Sequence, residues 1–247
     1  MATRTYDAPL SDMQCEAAIT LSSTVPGYLN VIPGYRGVKL YCASDWKLLL
    51  TPRIHRVFYY AAAGTYTDYT SEAIDKSTTT HVPLDAMAAD DYLYIGCKEQ
   101  FLGLYFNIGT NVNAETATLD VEYWKTQATP AWADVTGDAD GTDSTGTSTG
   151  ATLEQDGVYT WTLPSDWIMN TVNGKEAYWI RFCPSTALSA TVDVLEMMAV
   201  HKNTNYAWME GGMVEAFNFD DDKVGGIQYL SVDSTPTLHV TWLKYEG

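Results

Sequence analysis

Basic residues are scarce in this sequence: 14 Lys and Arg stand against 31 Asp and Glu, for a formal net charge of −17. Such a surface repels polyanions, so neither nucleic acid nor an anionic membrane is expected as a partner. Long apolar runs are missing too. No stretch approaches the roughly 20 apolar residues of a membrane-spanning helix, and MATRTYDAPLSDMQCEAAITL has no apolar core of signal-peptide length. The four cysteines, Cys15, Cys42, Cys97 and Cys183, are widely spaced with no C-x-x-C. That spacing points to buried free thiols in a chain made in a reducing cytoplasm, not to a zinc site. Of the four histidines, His55 and His239 fall within strand patterns and His81 and His201 at strand ends, where a packed or solvated imidazole is the default. There is no G-x-S-x-G elbow, Walker-type loop or G-x-G-x-x-G after a strand. Catalytic residues, cofactor-binding residues and metal ligands are therefore each expected to be none, and the chain is not expected to be an enzyme.

Aromatic and β-branched residues are plentiful. Eight Trp, 17 Tyr and six Phe accompany frequent Thr and Val, the set that suits pleated, half-buried surfaces. At 247 residues and 46% hydrophobic content, the chain is long enough for one large domain or two small ones. Strand-like runs EAAITLS, GVKLYCA, WKLLLT and RIHRVFYYAA follow one another, punctuated at Pro26-Gly27, Pro33-Gly34 and Pro52. In the last run Ile54, Arg56 and Phe58 alternate with His55, Val57 and Tyr59; neither set is cleanly polar, so this strand should contact protein on both faces. DDYLYIGCKEQFLGLYFNIG reads as strands 92–97 and 101–108 joined by a polar turn. ATLDVEYW places Leu119, Val121 and Tyr123 on one face and Asp120, Glu122 and Trp124 on the other. A helical turn capped by Ser165 is expected over 165–170, a hairpin around Gly211-Gly212, and two long strands over 226–232 and 237–245. The expected fold is all-β: an antiparallel β-sandwich, jelly-roll-like, with additional N- and C-terminal strands. It divides into an extended arm over 1–14, N-terminal strands over 15–55, a central sandwich over 56–200 and a C-terminal hairpin region over 201–247.

DVTGDADGTDSTGTSTGATL, residues 134–153, raises the question of a calcium loop, a linker or a surface loop. With Gly141 at the sixth position of an EF-hand frame, Asp138 and Asp140 fall on ligand positions, but Thr136 and Thr147 occupy the first and twelfth, where carboxylates are required. A solvent-exposed loop between two strands is the expected structure, with a looser site built on Asp138, Asp140 and Asp143 as the alternative. Asp220, Asp221 and Asp222 read as a charged turn. Trp132, Trp161 and Trp167 are candidates to stack on sugar rings; the competing expectation is that most Trp residues of a sandwich are core.

The stretch from Tyr92 to Leu195 carries YLYIGCKEQFLGLYFNIGTNVNAETATLDVEYW, Trp132, DGT at 140–142, TLEQDGVYTWTLPSDWIMNTVNGKEAYWIRF and ALSATV. It resembles a β-sandwich module of tailed-bacteriophage structural proteins, and GGIQYLSVDSTPTLHVTWLKYEG has the look of the same group. The resemblance implies a non-enzymatic virion protein, assembled in the host cytoplasm, that works by packing and symmetry and needs no cofactor. The preferred role is a capsid decoration (cement) protein that binds the major capsid protein as a homo-oligomer, a trimer being favoured. A minor head, neck, tail or baseplate position is the competing placement, and in the tail a sandwich would bind host carbohydrate through exposed Trp and Tyr.

Overall fold

The computed structural model describes residues 10–15, 18–31, 35, 37–75, 77, 79–126, 130–145, 150–202, 205–219, 224–232 and 235–245, with the backbone alone at 10–15, 244 and 245. All regular structure among them is strand. The chain forms two compact units: unit 1 from Met1–Leu50 with Asn205–Gly247, and unit 2 from Thr51–Thr204. In chain order the first strands are β1 (Leu10–Cys15), β2 (Ile19–Thr20), β3 (Gly27–Asn30), β4 (Gly37–Cys42) and β5 (Trp46–Pro52). Unit 2 follows with β6 (Ile54–Ala61), β7 (Thr65–Asp68), β8 (Val82–Pro83), β9 (Tyr92–Cys97), β10 (Phe101–Ile108), β11 (Leu119–Lys125) and β12 (Ala131–Asp134). It continues with β13 (Thr136–Asp140), β14 (Gly157–Thr162), β15 (Asn170–Val172), β16 (Lys175–Pro184) and β17 (Asp193–His201). Unit 1 resumes with β18 (Ala207–Met209), β19 (Val214–Asn218), β20 (Val224–Ser231) and β21 (Thr237–Tyr245).

In unit 1 the alternation of β21 turns Leu238, Val240 and Trp242 inward, and β4 sets Cys42, Leu40 and Val38 directly beside them. These strands lie in the sheet β1-β21-β4-β19, with β2 also on β21; the second sheet runs β18-β5-β20-β3. Trp46, Leu48, Ile227 and Leu29 from that second sheet complete one shared core, the face-to-face packing of a sandwich. In this sheet the Tyr229 ring lies across Gly27, where a Cβ would sit 2.1 Å from the ring. A side chain at residue 27 would require the Tyr229 ring tip to shift.

Unit 2 is a larger sandwich. One sheet runs β13-β14-β10-β17-β8; the other runs β12-β11-β16-β9-β6-β7, with β15 on β16. Phe106 of β10 and Phe182 of β16 meet edge to face at 5.7 Å, Tyr159 of β14 meets Phe182 at 5.6 Å, and Phe101 packs on Trp161 and Trp167. At about 1.5–3 kcal/mol for each large side chain fully buried, this inner layer supplies most of the unit's cohesion. Strands β9 and β10 have the bounds that the sequence suggests, but they do not pair with each other. β9 joins β16 and β6, β10 joins β14 and β17, and the 98–100 turn is a corner between sheets. The same corner collects both ends of the unit, since Ile54 is opposite Cys97 and His201 opposite Phe101. In unit 1, β5 and β18 are antiparallel neighbours with Leu48 opposite Ala207. Unit 2 is thus inserted where a hairpin turn would otherwise close.

Several local expectations are revised. Residues 10–14 of the expected arm belong to β1, which pairs with β21; residues 1–9 lie outside the described residues. The segments 15–55 and 201–247 contribute to one unit, apart from the stretches at their inner ends that belong to unit 2. No helical turn forms over 165–170: Trp167 bridges Lys125, and its ring enters the core while Tyr123 donates to Asp166. Burial of that indole outweighs the weak helical preference of so short a segment. Gly211-Gly212 is not a hairpin either, because β18 pairs with β5 and β19 with β4, in different sheets. A bulge between Ile54 and Arg56 turns Ile54 to the same core as Val57, leaving Phe58 on the opposite face. Both faces of β6 do contact protein.

Candidate functional site

The seven-stranded sheet of unit 2 has an inner face fixed by Leu93, Ile95, Ile180, Phe182, Val121 and Tyr123. Alternation sends the intervening residues outward, and many of them are aromatic. Tyr66 on β7 is opposite Tyr60 on β6, Tyr60 opposite Tyr92 on β9, and Tyr94 opposite Arg181 on β16; Arg181 is opposite Glu122 on β11, and Trp124 opposite Trp132 on β12. Consecutive rings approach closely: Tyr66 to Tyr60 at 4.7 Å, Tyr60 to Tyr92 at 6.5 Å, Tyr94 to Trp132 at 5.6 Å and Trp132 to Trp124 at 5.4 Å. Beneath them Phe58 and Trp179 are buried and stacked at 5.6 Å. Trp179 lies over β9 because residue 96 is glycine; a Cβ there would meet the indole at 2.8 Å. Its Nε1 donates to the Asn170 and Lys175 carbonyls, so the β15–β16 hairpin holds the ring in place.

Arg181 is the cation of this face. Its guanidinium carbon lies 4.2 Å from the Tyr92 ring centre and 4.6 Å from that of Trp132, while Nε donates to Glu122 at 2.6 Å. Nη1 reaches the Tyr94 hydroxyl at 3.5 Å. Burial opposes its charge, but the Glu122 carboxylate and Tyr94 hydroxyl outweigh that, and its pKa lies above the ordinary value. Two rings and a carboxylate therefore hold the planar fork in one orientation. Burial raises the Tyr66 and Tyr92 phenols. It also raises the Asp120 carboxyl, helped by Asp134, Glu122 and Asp138, a sign of crowded negative charge at one end of the face. Cys183 shares that end, but burial pushes its thiol up and the thiol donates to the Ala89 carbonyl, so a nucleophilic thiolate is disfavoured there.

Unit 1 presents a second surface. Trp208 on β18 is 57% exposed, Met213 53% and Val214 on β19 60%, and Tyr41 stands opposite Val214. Among the described residues β18 and β19 are both edge strands, one in each sheet. The turn between them is pinned: Gly211 N–H donates to the Asp45 carboxylate at 2.7 Å and Gly212 N–H to the Cys42 carbonyl at 2.8 Å. Unpaired strand edges that carry exposed apolar side chains are ready templates for association.

The residues singled out from sequence scatter. Trp161 and Trp167 are core; Trp132 alone of the three tryptophans reaches the outward face. The described residues of 134–145 and 150–153 are not a solvated loop, since 136–140 form β13 and Thr142, Asp143, Thr152 and Leu153 are buried. The carboxylates accept protein hydrogens: Asp138 from the Tyr159 hydroxyl, Asp140 from Thr142 N–H, and Asp143 from the N–H groups of Thr145 and Gly150. Residues 146–149, and the acidic run Asp220, Asp221 and Asp222, lie outside the described residues. His81 pairs with Asp193 at 3.1 Å, and the His239 ring lies tilted beside Tyr41 at 6.0 Å. Among the described residues no three His, Cys, Asp or Glu side chains gather as a metal set. Tyr60, Tyr66, Tyr92, Tyr94 and Arg181 were not candidates from sequence, although the alternations in YLYIG and YWIRF carry the signal. Comparison with protein-family models, curated sequences and solved structures finds no match.

Proposed function

We propose that this chain is a non-enzymatic structural protein of a tailed-bacteriophage virion, a decoration protein that binds the major capsid protein through the apolar edge of unit 1. The observation that carries the reading is the exposure of Trp208 and Val214 on two successive edge strands and of Met213 in the turn between them, which Asp45 holds. The resemblance of residues 92–195 to phage sandwich modules supplies the virion context, and the net charge of −17 argues against packaged genome as the partner. A specific interface of this kind buries at least about 1,000 Å² in total, more than these side chains supply alone. Assembly as a homo-oligomer, a trimer at lattice three-folds, would multiply the area.

Immunogold electron microscopy of intact particles tests the position. Label spread over the head supports decoration, whereas label confined to neck or tail overturns it. Sedimentation of the purified chain tests the trimer, and a monomer at all concentrations removes it. A second reading, a tail or baseplate module for host carbohydrate, draws on the outward ring strip around Trp132, and label at the tail tip would favour it.

A further inference from the structure

We infer that the outward face of unit 2 is a binding site for a single chain of a neutral oligosaccharide, laid across the strands from Tyr66 to Trp132 with Arg181 as its fixed polar anchor. The inference does not depend on where the protein sits in a virion. The strands that contribute, β7 through β12 in sheet order, are six neighbours and span about 24 Å at ordinary strand spacing, so the site is elongated and suits a polymer segment. Tyr60, Tyr66 and Tyr92 each offer an apolar ring beside a hydroxyl that both donates and accepts, the combination a sugar needs for its C–H face and its hydroxyl rim, while Tyr94 is buried beneath them and supports Arg181. Tyr66 is 39% exposed, and Tyr60, Tyr92 and Trp132 are half-buried, so the rings are reachable yet held.

Ring geometry and charge narrow the ligand. Neighbouring rings are inclined by 40–75° along the strip, which leaves no flat platform for a crystalline polysaccharide surface and favours one flexible chain that turns from ring to ring. Arg181 spends Nε on Glu122 and Nη1 on Tyr94; its side chain is 16% exposed, and at that exposed rim its remaining N–H groups would meet sugar hydroxyls. Glu122 neutralises that guanidinium, and Asp120 and Asp134 lie alongside. An anionic glycan would meet net repulsion, whereas a neutral one loses nothing.

The full chain should be screened against an array of neutral hexose and N-acetylhexosamine oligosaccharides, with sialylated and uronate-bearing glycans and proline-rich peptides beside them. Calorimetry with the best neutral hit should follow. The expected result is saturable binding to neutral glycans, weakened about tenfold or more in Trp132→Ala and in Arg181→Lys. Both variants should keep the far-UV spectrum of the parent and unfold cooperatively, at a melting temperature lowered by the lost ring and ion-pair contacts. Should either variant misfold, Tyr66→Phe and Tyr92→Phe replace it, and quenching of tryptophan fluorescence in the unmutated chain reports contact with the strip. No neutral glycan bound at millimolar concentration, binding unaffected by all four substitutions, preference for anionic glycans, or binding of the peptides alone would each overturn the proposal.

Discussion

The two units are both antiparallel sandwiches, yet they use aromatic residues in opposite ways. Unit 1 encloses Trp46 and Trp242 in its core and leaves apolar side chains exposed at strand edges, where backbone groups are also unpaired. Unit 2 encloses Phe106, Phe182, Trp161 and Trp167 and still has a layer of rings for the outside of a sheet, most of it over the doubly paired strands β6, β9, β16 and β11. An edge surface invites another protein strand or apolar patch. A ring-covered sheet face with a fixed guanidinium suits a ligand that needs contact and hydrogen bonds but no backbone pairing. The difference teaches that the exposed apolar groups of this chain fall into two structural classes, one at strand edges and one on a sheet face.

The comparison breaks most visibly through the cores. Trp242→Ala in unit 1 and Phe182→Ala in unit 2 should each cost about 3–5 kcal/mol. Both side chains are almost wholly buried, in separate clusters. In differential scanning calorimetry each variant should lower the transition of its own unit only; a single transition shifted equally by both would refute independent cores. Asp91→Asn is the next largest effect. In unit 2 this carboxylate accepts the Tyr59 hydroxyl at 2.7 Å and the N–H groups of Ala62 and Ala88 at 2.8 and 2.9 Å. The substitution removes charge-assisted bonds and should cost about 1.5–3 kcal/mol. Burial pushes the Asp91 pKa up, but those three hydrogen bonds outweigh it and the pKa is lowered. The stabilisation is therefore complete above the unfolded value near 3.9 and is lost as pH falls through the lowered folded value. An acid titration of unit 2 should accordingly be less steep in the Asn variant, and an unchanged slope would remove Asp91 from the account.

A subtler contrast lies in the two glycines that lie under rings. Gly27→Ala would place a methyl 2.1 Å from the far end of the Tyr229 ring, and Gly96→Ala one 2.8 Å from the Trp179 indole. The shorter contact is expected to be the cheaper one. A tyrosine tip can shift by small rotations, whereas Trp179 is stacked on Phe58 and tied to two carbonyls. Gly96→Ala should cost about 1–3 kcal/mol and disturb near-UV circular dichroism; Gly27→Ala should cost less. The reverse order in chemical denaturation would mean that the indole is not fixed.

How much of this was legible in the sequence depends on the range of the interaction. Alternation is local, so the bounds of β9 and β10 and the two faces of β11 could be read directly from YLYIGC, FLGLYFNI and LDVEYW. Sheet membership is not local. Nothing between Cys97 and Phe101 says that the chain turns a corner to a second sheet, and nothing near Leu50 announces that its strand neighbour lies beyond residue 200. The same limit hid the ring strip, because Tyr92 and Tyr94 become a surface only when β6, β7, β16 and β12 are set beside them. Trp161 and Trp167 illustrate the remaining ambiguity. A period of two separates faces without saying which one is inward, and the core took both indoles. At 134–153 the density of Asp, Gly, Ser and Thr gave no sign that Asp143 would be buried and satisfied by backbone N–H groups.

The central proposal is that the two surfaces serve different partners in a virion, and occupancy on phage particles lacking the native chain tests it most directly. Val214→Lys and Trp132→Ala proteins would be added back separately at matched concentrations and bound chain quantified after sedimentation. Val214 is an exposed position, so its substitution should change stability by no more than about 0.5 kcal/mol. The account predicts that Val214→Lys abolishes particle occupancy while Trp132→Ala leaves it at the level of the unmutated protein. Full occupancy by Val214→Lys, or its loss with Trp132→Ala, would contradict it.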